Sequence, residues 1–114
     1  MDLAYTPSQQ AFLAEARAWL EAHVPNTPLR SFDTAEGAAE HRGWERILND
    51  GGWAMVPWPV EYGGCDWTLT QHYIFSREST LAGAPSLSPM GIRLVAHAII
   101  AFGTGAQKDY FLPR

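Results

Sequence analysis

The side chains able to do chemistry in this 114-residue chain are four histidines, one cysteine, two serines flanking a leucine and a few carboxylates. His23, His41, His72 and His97 are too scattered for a metal site, because no pair has the three- or four-residue step of a helical ligand set. Cys65 stands alone, so it forms no internal disulfide and no thiol cluster; it reads as a small loop residue and fits a reducing compartment. The run Ser86, Leu87, Ser88 lacks the Gly-x-Ser-x-Gly elbow and a visible base, so these serines read as caps of the helix that follows. Glu61 and Glu78 are the carboxylates to consider as a general base, yet nothing in the sequence desolvates either, and Glu61 reads as a surface charge on a loop. Neither Gly51, Gly52 nor Gly63, Gly64 opens a helix with a phosphate-loop pattern, so both pairs read as turns.

Charge and hydropathy narrow the partners. A net charge of -4, spread over both signs, disfavours a nucleic-acid partner because nothing tracks phosphates. The N-terminal residues carry no basic or apolar block of a secretory signal, which leads to a cytoplasmic expectation. The most apolar stretch, Ile92 to Phe102, is eleven residues long and holds Arg93 and His97, well short of the roughly 20 residues needed to span a bilayer. A chain of 114 residues is expected to fold as one domain with a modest core.

Three repeats of Thr-x-x-Gln mark helix starts at Thr6, Thr68 and Thr104, since each Thr can accept from the amide three residues on while the Gln reaches back. From Pro7 to about His23, the residues Phe12, Leu13, Ala16, Trp19, Leu20 and His23 form one apolar stripe that Pro25 and Pro28 end. A second helix runs from about Ala35 to Asp50, with Trp44, Ile47 and Leu48 toward the core and Gly51 or Gly52 as a left-handed cap. Its first half, mostly Ala, Glu and Gly, is weakly patterned and expected to fray. A third helix spans Thr68 to about Leu81, with Leu69 and Tyr73 on one face and Ile74 or Phe75 meeting a neighbour, before the Gly83, Ala84, Pro85 break. A fourth, from about Ser88 to Phe102, is apolar nearly all round at Ile92, Val95, Ala96, Ile99, Ile100 and Phe102 and is expected to be the buried central helix. Thr104 to Leu112 makes a short fifth helix ended by Pro113.

Between the second and third helices lies an apolar, proline-pinned connection from Gly52 through Trp53, Met55, Pro57, Trp58, Pro59 and Tyr62 to Gly64. Trp53, Trp58 and Trp67 either staple this loop or wall a cavity, and Trp58 or Tyr62 is a ring the loop could present to another domain. This connection, together with the run Phe102 to Pro113, resembles the acyl-CoA dehydrogenase N-terminal domain, and the likeness extends in order from about Tyr5 to the end of the chain. The resemblance implies an all-α fold of about five helices in an orthogonal or up-down bundle. It also implies that the flavin (FAD) and the catalytic glutamate come from a middle β-domain and a C-terminal helical domain that lie beyond Arg114. No catalytic, cofactor-binding or metal-ligating residue is therefore expected within the chain, and alone it is expected to be inactive.

In that family the acyl tail lies between N-terminal and C-terminal helices, beside the start of the helix matching residues 88–102. The positions that match its pocket wall are Ser86, Leu87, Met90, Gly91 and Leu94. Met90 and Leu94, four apart, share a face, Met is a shape-adaptable wall, and Gly91 leaves room beside them; the same residues would also serve as plain core. His97 either takes a backbone partner in the core or puts a polar group near the pocket end. The implied activity of the intact enzyme is α,β-dehydrogenation of an acyl-CoA thioester. Its implied partners are the acyl-CoA, the remaining domains of the same protein and further subunits of a homo- or hetero-oligomer. The other reading is a free-standing helical module that binds a partner protein.

Overall fold

The computed structural model describes residues 3–54, 58–87 and 90–113, and every regular element among them is helical. In chain order these are α1 (Pro7–His23), α2 (Ala35–Asp50), a 3-10 turn (Val60–Tyr62), α3 (Leu69–Leu81), a π-helical segment (Met90–Val95), α4 (Ala96–Phe102) and α5 (Gly105–Phe111). All three expected capping boxes form. The amides of Thr6, Thr68 and Thr104 each donate to the glutamine side chain three residues on at 2.9 Å, and the glutamine amides donate back to the threonine hydroxyls at 3.2–3.3 Å.

The start of α2 is built by polar contacts and close backbone approach, which an apolar pattern does not reveal. The Thr34 hydroxyl donates to the Ser31 carbonyl at 3.0 Å and accepts the Gly37 amide at 3.0 Å, the N-cap geometry without the glutamine. Gly37 must be glycine here, because a Cβ would run into the Ser31 carbonyl. Arg30 adds its backbone amide at 2.8 Å and its Nε at 2.7 Å to the Glu40 carboxylate.

The chain packs as two units, with boundaries after Glu40, Asp66 and Pro85. One unit is built on α1, the first turns of α2, and α3. Ala16 and Leu20 of α1 and Ile74 of α3 are its buried apolar residues, and each fully buried large side chain contributes about 1.5–3 kcal/mol. Trp67 packs edge-on against Phe12 at 5.0 Å and against Phe75 at 5.6 Å between centroids. Ile74 thus makes the expected contact with a neighbour, while Leu69 and Tyr73 point outward.

The other unit holds the rest of α2, the loop with its 3-10 turn, the π-helical segment, α4 and α5. Trp58, Ala96 and Leu112 are buried together, with Tyr62, Ile99 and Ile100 packed on them. Trp44, Leu48, Trp53 and Ala54 are also buried, whereas Ile47, expected in the core, is exposed. Gly52 (φ +81°) ends α2 in the left-handed conformation, and the Cys65 thiol donates to its carbonyl at 3.3 Å, drawing the two ends of the loop together. Partial burial pushes that thiol's pKa up. Gly64 cannot carry a Cβ, which would meet the Trp58 carbonyl. The loop is therefore stapled by Trp53 and Trp58. Trp67 joins the unit of α1 and α3, and Trp58 is a core ring with no exposed face to present.

The fourth helix departs most from expectation. It begins as a π-helix at Met90 and becomes α-helical at Ala96, and Ser88, the expected start, lies outside the described residues. Among its described side chains only Ala96 is buried; Ile99 and Ile100 are half-buried, and Leu94, Val95, His97 and Phe102 are exposed. Among the described residues it is not buried all round as expected: burial on every side needs cover on every side, and in its own unit Trp58, Tyr62 and Leu112 pack on the face of Ala96, Ile99 and Ile100. The core-histidine reading of His97 falls with it.

Candidate acyl-facing wall

The candidate site residues lie at the link into the fourth helix and along its first turns. The link leaves α3 through Gly83 (φ +72°), whose amide donates to the Thr80 carbonyl at 3.1 Å, while Ala84 donates to the Ser79 carbonyl at 2.9 Å. Ser86 is exposed and Leu87 half-buried. The imidazole of His41 donates from Nδ1 to the Ser86 carbonyl at 3.2 Å.

Beyond the link, Met90 is 61% and Leu94 57% exposed. Residues four apart stay on one face whether the backbone is wound α or π, so the two side chains form an open apolar strip. Neither side chain is buried by the described residues. Gly91 belongs to the π-helical backbone, and its surroundings lie outside the described residues. π-Helical turns recur at functional sites because the wider winding redirects the side chains that follow.

Sequence reasoning missed the environment of Glu78. It is 4% exposed, and its carboxylate accepts from Arg17 Nε and Nη2 at 3.0 Å each and from Arg77 Nη1 at 3.2 Å. The Arg17 hydrogen bond holds this carboxyl below the usual carboxylate range; burial opposes that, and the charges of Arg17 and Arg77 reinforce it. A carboxylate so engaged is a strut between α1 and α3 and a poor proton acceptor. The available signal was the spacing: Glu78 follows Ile74 by four and shares its buried face. Arg17, Glu78, Leu20, Glu21, Leu81 and Ala82 line a shallow cleft around this strut. Glu61 sits exposed on the 3-10 turn, as a surface charge does.

The glycine pairs form turns, as their sequence context indicates: Gly52 ends α2, Gly63 (φ +93°) ends the 3-10 turn, and Gly64 lies against the Trp58 carbonyl. Among the described residues no three of His, Cys, Asp or Glu converge as a metal site. No helix among them is long and apolar enough to cross a membrane.

The all-helical fold agrees with comparison to known proteins. The chain belongs to the acyl-CoA dehydrogenase family: residues 6–114 match the family described as acyl-CoA dehydrogenase, N-terminal domain. It is 31% identical to acyl-CoA dehydrogenase FadE26 of Mycobacterium tuberculosis over 118 aligned residues, covering all of this chain and 29% of that protein. It is 30% identical to acyl-CoA dehydrogenase IpdE1 of Mycolicibacterium smegmatis, covering 92% of this chain and 29% of the relative. A chain in the crystal structure of the ChsE4-ChsE5 complex from Mycobacterium tuberculosis has the same fold, with a TM-score of 0.73 and 33% identity. That match covers all of this chain and 28% of the other. The chain thus spans under a third of the length of the relatives it matches.

Proposed function

We propose that this chain is the acyl-facing N-terminal part of an FAD-dependent acyl-CoA dehydrogenase that performs α,β-dehydrogenation of an acyl-CoA thioester. The observation that carries the reading is the family match from residue 6 to residue 114, on a structure whose fourth helix leaves Met90 and Leu94 open. Ser86, Leu87, Met90, Gly91 and Leu94 form one wall of the acyl pocket. Their share of the work is binding: an apolar strip desolvates the acyl chain and fixes where its reacting carbons lie, which is how remote contacts assist a reaction they do not touch. The redox chemistry and the proton-abstracting carboxylate belong to a flavin-binding β-domain and a C-terminal helical domain outside these residues, so the isolated 114-residue chain binds no flavin and turns nothing over.

The full-length protein assembles as a homo- or hetero-oligomer, a reading supported by the similarity to a chain of the ChsE4-ChsE5 complex. A cytoplasmic location is part of the same proposal; no helix among the described residues is long and apolar enough to cross a membrane. The test is purification of the full-length protein. Bound flavin absorbance that bleaches on anaerobic addition of an acyl-CoA is expected. A colourless protein that no acyl-CoA series reduces after reconstitution with FAD would overturn the reading and leave a helical interaction module.

A further inference from the structure

We propose that His41 is a positioning residue for the acyl pocket: its buried imidazole fixes the Ser86–Leu87 link and so sets the acyl chains that the wall accepts. The inference rests on the function proposed above for that wall. His41 is 8% exposed, on the part of α2 that packs in the same unit as the link. A backbone carbonyl only accepts, so the 3.2 Å contact to the Ser86 oxygen places the proton on Nδ1 and makes the imidazole the donor. The contact joins residues 45 apart in sequence, so it specifies tertiary position and not local turn geometry.

The two ends of this bond differ in a way that gives it a direction. The ring is held by burial, while Ser86 is exposed and Leu87 half-buried, so side-chain packing anchors the link only partly. A buried donor that loses its acceptor keeps the cost of its desolvation, which favours the single link position that satisfies it. Ser86 is four residues from Met90 and eight from Leu94 along the chain. A small displacement at the link changes the geometry of a wall that binds by shape, and displacements on the order of an ångström at a binding wall cost rate or affinity.

The test uses the full-length protein and the variants His41→Leu, His41→Asn and His41→Gln. Asparagine can place an amide donor near the position of Nδ1; leucine has no donor, and glutamine places its amide nearer the position of Nε2. For His41→Leu, KM for the longest accepted acyl-CoA is expected to rise by about tenfold, with less change for short chains and kcat changed by about twofold or less. His41→Asn is expected to return KM to within about threefold of the parent, and His41→Gln is not. In parallel, amide exchange at Leu87 and Met90 to Leu94 is expected to speed up in the Leu and Gln variants but not in the Asn variant. Unchanged exchange, equal KM changes at every chain length, or equal behaviour of Asn and Gln would overturn the proposal. If the parent protein proves to have no dehydrogenase activity, the functional reading fails by itself; the exchange comparison then still decides whether His41 fixes the link.

Discussion

Among single residues, Glu78 shows most clearly what spacing reveals and what it hides. Its place on the buried face of α3 follows from Ile74 four residues earlier, but its desolvation comes from α1, 61 residues away, and no local pattern encodes that. Because Arg17 holds the folded-state pKa below the ordinary value of 4.5, the carboxylate contributes stability that is present above that value and lost as pH falls through the folded one. Glu78→Gln is expected to cost about 1–2 kcal/mol at pH 7, less than the roughly 3–5 for breaking a fully buried pair, because Arg17 is half exposed to solvent. Urea unfolding at neutral and acidic pH checks this: the gap between parent and variant should narrow below the usual carboxylate range. A gap that stays constant with pH would contradict the assigned cause. His97 shows the opposite error, because a histidine in an apolar run reads as core although its own side of the helix is open.

Elements were legible wherever their ends are written in side chains. The Thr-x-x-Gln boxes placed the starts of α1, α3 and α5 within a residue, and Gly52 marked the end of α2. The start of α2 looked frayed because its cap is Thr34 with glycine at the third helical position, so the reciprocal glutamine is missing. Thr34→Ala and Thr68→Ala are each expected to cost about 1 kcal/mol, with a range of roughly 0.5–2, in urea unfolding. Thr34→Ala should also speed amide exchange at Gly37, which donates to that hydroxyl. Equal protection of Gly37 in parent and variant would show that the Arg30–Glu40 contacts hold the turn without the cap. The fourth helix misled for a different reason. An all-round apolar sequence reports that every face meets something apolar, and cannot say whether the cover lies in the same 114 residues.

For the whole molecule, the informative quantity is apolar surface left open. Phe102 is 90% exposed, and Met90, Leu94, Val95, Tyr110 and Phe111 each expose more than half of their surface. So many large apolar side chains uncovered in one unit mark a surface suited to an apolar partner or ligand. The all-α class and the family were legible from motif order, whereas the proposed acyl-facing wall was legible only through that resemblance, because no spacing among Ser86, Leu87, Met90, Gly91 and Leu94 by itself names a ligand. The most direct measurement is the chain-length dependence of kcat/KM for Met90→Trp in the full-length protein. If Met90 lines the acyl pocket, the added bulk should lower kcat/KM for the longest acyl-CoA at least about tenfold more than for the shortest. An equal loss at every length, or none, would place Met90 away from the acyl chain and contradict the account.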